Sequence, residues 1–352
     1  MIRIVPFKPE DSSRWDSYVK NHPEANLYHL SFFKTVVQNT YRHSGFYFLA
    51  LDENSEIRGI LPLFFFRSLI FGKELISLPF CDYGGILADT PEVSISLFKK
   101  AKELMSSLGC KALELRQISK QPFPFDTSIS PDGNLSVISS KVRMFLDLPE
   151  SPDILFSSFS PKLRSQIRKP QKEGCICLNG GLELIDDFYD VFVYNMRDLG
   201  SPVHSKQLII NMLTEYPQSS RLFVVYYLQK PIAGSLIAGV NNILVNPWAS
   251  FKRSHQKIAP NMLLYWEMLS FAIKNGYRSF DFGRSTPDEG TYKFKAQWGA
   301  SPQQLHWYKY AAQTETSDNF SSKRGSFIKI WSRLPPGITR VIGPLLRKHI
   351  HL

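Results

Sequence analysis

One pattern occurs twice in this sequence, and it limits the folds open to the chain more than any other feature. In the first half, the runs 46–50 and 57–66 read as two strands about the turn Asp52-Glu53-Asn54-Ser55. A helix is expected over 92–108, with Leu97, Ala101, Leu104, Met105 and Leu108 at helical spacing and Gly109 placed to cap it. A strand at 112–115 comes next. The second half repeats the order: strands at 221–228, 231–240 and 243–250, then a helix over 260–275 with Leu264, Met268, Phe271 and Ala272 on one face. Gly276 stops that helix and a strand at 279–282 ends near an acid. The two helix-to-strand joints align residue by residue. Glu114 lies five residues past Gly109 in SSLGCKALELR, and Asp281 lies five past Gly276 in AIKNGYRSFDFG. A shared order of elements as well as a shared joint implies duplication. The fold class that fits is α/β (α+β): two mixed halves, each a sheet crossed by a helix. The expected division is 1–154 for the N-terminal half and 155–310 for the C-terminal half, with a basic linker helix at 161–173 and a tail at 311–352.

A chain of 352 residues has room for two such halves, and 43% hydrophobic residues supply their cores. Lys and Arg number 42 against 31 Asp and Glu, a formal charge of +11 that favours polyanionic partners. The four cysteines (Cys81, Cys110, Cys175, Cys177) form no CxxC pair, and histidines at metal spacing are missing, so no metal site is expected. They read as reduced thiols of a cytoplasmic protein. The start MIRIVPFKPEDSS shows no apolar core of a signal peptide. The longest apolar run, 59–66, is cut by Arg67 and falls far short of the ~20 residues that span a bilayer.

The segments LPLFFFRSLIFGKELISLPFCDYGGILAD, KLRSQIRKPQKEG, NMRDLGSPVHSK and PNMLLYWEMLSFAIKNGYRSFDFGRSTPDEGTYKFKAQWGASP, in this order, resemble the FemAB-like family over roughly 30–310. The branch they resemble most is the one associated with exosortase and exopolysaccharide systems. The resemblance implies two tandem GNAT domains and transfer of an aminoacyl group from aminoacyl-tRNA to an amine of a peptidoglycan-type or polysaccharide precursor. Members of the wider superfamily use acyl-CoA instead. Either donor is a co-substrate, and no resident cofactor is implied.

Acyl transfer from an activated donor needs no enzyme nucleophile. It needs an acid group near the amine and a cation or N–H donor near the carbonyl. No GxSxG elbow or Cys/His pair supports covalent hydrolysis. Asp281 stands at a strand end beside Gly283, Arg284 and Ser285, where α/β folds place sites; the alternative is a turn cap paired with Arg284. Strand-like alternation would put Lys293 and Lys295 on one face about Phe294, as substrate contacts or as a solvated basic face. The resemblance matches Phe294-Lys295 and Trp298-Gly299 to the family's lysine block, which implies that Lys295 stabilises the reacting carbonyl with Trp298 beside it.

In LPFCDYGG, Asp82 and Tyr83 precede two glycines that permit close approach to a ligand. The segment is similar to the family's acidic cleft loop but lacks its Gly-Pro pair; the alternative is a plain turn. Arg164 and Arg168 are one helical turn apart and suit phosphate oxygens, which the resemblance implies belong to a phosphate-bearing envelope precursor, with Pro170 expected to break or kink the helix just after. Their alternative is an ordinary solvated linker helix. His204 is given no catalytic role. The place where CoA-binding GNAT domains carry a glycine-rich loop reads KRSHQKIAPNML, without glycine, which favours aminoacyl-tRNA over acyl-CoA.

From 319 to 352 there is no acid but seven Lys or Arg: Lys323, Arg324, Lys329, Arg333, Arg340, Arg347 and Lys348. Apolar residues interleave with them. This composition suits peripheral contact with an anionic membrane, placing the protein on the inner face of the cytoplasmic membrane. A tRNA contact and packing against the second domain are the alternatives. Three functions are open: the aminoacyl transferase, an acyl-CoA-dependent N-acyltransferase, and a non-catalytic binding protein of an envelope assembly.

Overall fold

A computed structural model describes residues 2–68, 72–123, 134–311 and 327–351. Lys323 and Arg324 lie outside the described residues. The chain forms two compact units. One comprises Met1–Val142, Gln303–Ser317 and His349–Leu352; the other comprises Arg143–Pro302 and Asp318–Lys348. The division therefore falls elsewhere than at 154 and 310. Residues 303–317 return to the first unit, and most of the tail belongs to the second.

Strands and helices are numbered along the chain. The first unit holds β1 (Arg3–Pro6), β2 (Ser44–Leu51), β3 (Ile57–Ser68), β4 (Gly72–Ile76), β5 (Leu87–Ala88), β6 (Ala112–Gln117) and β7 (Asn134–Ile138). To these it adds β15 (His306–Ala311). Its sheet order is β1-β2-β3-β4-β6-β15-β7, with β5 paired to β3. The late strand β15 thus sits between β6 and β7, antiparallel to both. Helices α1 (Ser12–Asn21), α2 (Phe32–Tyr41) and α3 (Pro91–Ser107) flank the sheet. Thr90 caps α3 by accepting from the Val93 N–H, with Pro91 in the first turn. Leu97, Ala101 and Met105 then bury one face of α3 against Leu61, Leu63, Leu113 and Leu115.

The second unit holds β8 (Val142–Asp147), β9 (Ile176–Gly180), β10 (Ser220–Tyr227), β11 (Lys230–Val240), β12 (Ile243–Phe251), β13 (Ser279–Ser285) and β14 (Ser301–Gln304). The order is β14-β8-β13-β12-β11-β10-β9. Its helices are α4 (Pro152–Ser158), α5 (Pro161–Lys172), α6 (Ile185–Asp198), α7 (Lys206–Glu215), α8 (Pro260–Lys274), α9 (Gly290–Ala296) and α10 (Pro336–Arg347). The predicted linker helix is α5. It is seated rather than free, with Leu163, Ile167 and Pro170 buried. Pro170 does not break it: the helix runs on to Lys172, and the ring removes only the bond that an N–H at 170 would make to the Gln166 carbonyl.

The repeat is present in the backbone. Gly109 and Gly276 both take left-handed conformations, φ 61° and 79°. After α3 the Cys110 N–H returns to Met105 O, and after α8 the Tyr277 N–H returns to Ala272 O. Each joint leads into a strand that pairs parallel with its neighbour, β6 with β4 and β13 with β12.

Candidate active site

The second unit's sheet opens where β12 meets β13. Their parallel register covers Ile243↔Ser279, Leu244↔Phe280 and Val245↔Asp281. Both strands run on, β12 to Phe251 and β13 to Ser285, without further register. On its other edge β12 shifts register against β11 between Leu236 and Ala238, which turns it away. The result is a fork in which, among the described residues, the edge of β12 past Val245 carries no partner strand.

Asp281 stands at the base of this fork and is 1% exposed. Its Oδ1 accepts from the Gly283 N–H at 2.8 Å, and its Oδ2 lies 3.4 Å from Arg143 Nε. The turn-cap reading thus holds for the Gly283 contact, but the ion pair is with Arg143 of β8 and not with Arg284. Arg143 is a residue the sequence reading misses. The signal available is a lone cation inside the apolar run VRMFL. The Arg143 side chain is 8% exposed and lies over the Phe145 ring at 4.3 Å. Breaking a pair this buried leaves one charge uncompensated and costs ~3–5 kcal/mol.

Lys295 is buried, and its Nζ donates to Gly283 O at 3.1 Å and Arg284 O at 2.8 Å. Gly283 has φ 74°, so the backbone turns its carbonyl inward at a cost only glycine escapes. Asp281 and Lys295 therefore grip the same two-residue turn, one through an N–H and one through carbonyls. The expectation for Lys293 does not hold. The run 290–296 is helical, and neighbours two apart point to opposite sides of a helix, so Lys293 is exposed while Lys295 is buried. Arg284 is half-buried.

Trp298 is fully buried and walls this region together with Phe159 (5.5 Å), Tyr265 (6.0 Å) and Phe294 (6.3 Å). Among the described residues, its indole N–H and the buried Ser285 hydroxyl have no hydrogen-bond partner. Arg168 connects to the wall through Phe156, over which its guanidinium lies at 5.0 Å. Arg164 and Arg168, with Lys169 and Lys172, line a concavity of about 440 Å³ on α5. Their side chains share that surface as helical spacing requires.

In the first unit the corresponding fork is filled by the chain itself. Past Ile76↔Glu114 the Ser77 N–H donates to Glu114 O and the Arg116 N–H to Ser77 Oγ, each at 2.9 Å. The Gly84 N–H then donates to Arg116 O. The two glycines approach protein, not ligand: an added Cβ would meet Leu78 at Gly84 and Gln117 at Gly85. Tyr83 is 1% exposed beside Tyr28. Asp82 is half-buried, and its backbone carbonyl accepts from Trp307 Nε1 at 3.0 Å. His29 completes the lock. Its Nε2 donates to Gly85 O and its Nδ1 accepts from the Asn26 N–H, and burial holds the ring neutral with a pKa lowered to about 3.

His204 is likewise buried and neutral. Burial, with the charge of Arg347 beside it, pushes its pKa well below the usual range. The glycine-free segment before α8 folds as a 3-10 turn, Arg253–Ile258. Ala259, at φ 59°, takes the left-handed position that a glycine would fill.

Residues 157–296 match the family described as an acetyltransferase (GNAT) domain. Among curated proteins none matches this sequence. The structure is similar to the crystal structure of FemX, with a TM-score of 0.65 and 14% identity, covering 86% of this chain and 96% of that one. It is similar to the C-terminal domain of a putative lysylphosphatidylglycerol synthetase from Agrobacterium fabrum (TM-score 0.55, 12% identity, 91% and 95% covered). It is also similar to a tandem GNAT protein of the clavulanic acid biosynthesis pathway (TM-score 0.55, 10% identity, 90% and 100% covered). At such identities the likeness is one of fold, and the fold is that of tandem GNAT proteins.

Proposed function

We propose that this chain, a tandem GNAT-fold protein, belongs to the FemAB-like family and is an N-acyltransferase whose donor enters the fork between β12 and β13. The observation that carries this reading is the fork with Lys295 bonded to the Gly283 and Arg284 carbonyls of its β13 arm. An extended acyl donor can bond the unpartnered edge of β12 as a strand would. The acceptor amine attacks the donor carbonyl carbon. A C–N bond forms, the C–O or C–S bond to the carrier breaks, and the amine proton leaves to base or solvent. The ammonium of Lys295, oriented by two carbonyls in a water-poor site, would stabilise the oxyanion. Asp281, with one oxygen on Gly283 and the other on Arg143, is a positioning group for that turn. Asp82 and Tyr83, expected from sequence to serve the reaction, belong to the first unit's closed fork, and no step is assigned to them.

The donor we propose is aminoacyl-tRNA and the acceptor an amine on a phosphate-bearing cell-envelope precursor. The cationic concavity of α5 supports a phosphate-bearing ligand, with Arg164 and Arg168 as its contacts and Arg284 and Lys293 near the fork. A second reading, acyl-CoA as donor, has one observation in its favour: the match of residues 157–296 to an acetyltransferase domain. Labelled aminoacyl-tRNA and labelled acyl-CoA, each offered with amino-sugar and peptidoglycan-type acceptors, separate the two. RNase-sensitive transfer is the expected result. Transfer from the thioester alone selects the second reading, and no transfer or binding of either donor leaves a non-catalytic binding protein.

A further inference from the structure

Helix α10 is mounted with its apolar side outward. It meets the second unit through Thr339, Gly343 and Arg347, all buried and spaced four apart. Gly343 permits that contact, since a Cβ there would come within 2.8 Å of Val203. Arg347 Nε donates to His204 Nε2 at 3.1 Å, and Arg340 pairs with Asp190 at 2.5 Å. The opposite face carries Ile338, Val341, Ile342 and Leu345, exposed by 44, 67, 41 and 63%. Their spacing of three and four residues makes one stripe. In the helical residues 327–331 Ile330 is 65% exposed, whereas Ile328 packs on Gly200 and Phe327 stacks on the buried Trp331 at 5.5 Å. A globular protein scatters single apolar residues over its surface but seldom lines up four on one short helix. Lys329, Arg333 and Lys348 are exposed on the same stretch, which has no acid between 319 and 352.

We propose that this face docks on an anionic lipid surface, with α10 lying in the plane of the interface. Its 12 residues extend about 18 Å, too short to span a bilayer's ~30 Å apolar core. Among the described residues no helix is long and apolar enough to cross a membrane. The occupant is set by charge as well as apolarity. A second copy would bring the same cations together with no acid on the stretch to offset them, whereas anionic headgroups offset them by about 1 kcal/mol per basic residue. RNA would satisfy the cations and leave the apolar stripe in water. The inference stands whether or not the acyl-transfer reading holds.

The test is co-sedimentation of the full chain with vesicles of phosphatidylcholine alone and of phosphatidylcholine with an equal part of phosphatidylglycerol. Binding is expected to the second and to be weakened by salt. Val341→Asp with Leu345→Asp should reduce it about ten-fold or more, with the unfolding midpoint unchanged because both side chains already face water. Equal binding of the double variant overturns the proposal. So does equal binding to the two vesicle types, or a stable dimer in solution that the double variant splits.

Discussion

The two helix-to-strand joints share a backbone and differ in how the chain closes beyond them. In each, a left-handed glycine turns the chain and an acid arrives five residues later in a strand paired parallel with its neighbour. Glu114 finds Arg116 two residues on and His351 nearby. Burial alone would raise its pKa, and the charges of Arg116 and His351 reverse that to a net lowering. Asp281 finds Arg143, far back in the chain. Past Glu114 the fork is closed by Ser77, Arg116 and Gly84; past Asp281 it stays open. A duplicated scaffold thus stitches one fork shut and leaves the other without strand pairing among the described residues. Position alone, mirrored between Glu114 and Asp281, does not mark a catalytic residue. The second joint is marked by its unpaired strand edge and by Lys295 bonded to the β13 carbonyls of Gly283 and Arg284.

The largest effect that could break this comparison lies at Lys295. Lys295→Ala should cut turnover by about 100-fold or more while circular dichroism reports an intact fold. Wild-type rates would remove the fork's cation from the chemistry. Next comes acid, which should act on the stitched fork. His29 is neutral when folded, with its pKa lowered to about 3 by burial, so its contribution is present above pH 6.5 and lost as pH falls towards 3. Urea unfolding should show about 1.4 kcal/mol per pH unit from this group in that window, a slope that His29→Gln removes. The two glycines give a smaller, matched test. An added Cβ meets nothing within 4 Å at Gly109 or Gly276, so alanine at either costs backbone strain alone, about 1 kcal/mol at each. Clearly unequal losses in thermal melts would mean that the joints are not equivalent. The smallest effect is a gain. Ala259→Gly should relieve left-handed strain and stabilise the chain by up to about 1 kcal/mol.

Much of the scaffold is legible in the sequence because it is local. Helical spacing in 92–108 and 260–275, and glycine directly after each, are consequences of backbone geometry that no distant residue overrides. The features that stay hidden depend on distant partners. Nothing in HWYKYA says that β15 inserts between β6 and β7, since any short apolar strand could pair there. Arg143 and Asp281 meet across 138 positions (281 − 143) and share no motif. Alternation puts Lys293 and Lys295 on one face only because GTYKFKA is too short to show a helical period. The glycines after Asp82 do permit close approach, yet the group that approaches is Gln117 or Leu78. The apolar and basic content of the tail is plain, but which side of α10 faces outward is decided by Gly343 against Val203.

The central claim is that the donor occupies the second fork and not the first, and it can be mapped directly. Two photoreactive donor analogues would serve, an aminoacyl ester of a tRNA 3′ end and an acyl thioester of CoA, each crosslinked to the full chain and located by peptide mass spectrometry. Label on 246–251 or 282–295 is the expected result for whichever donor is used. Label confined to 77–85 or 114–117 would contradict it.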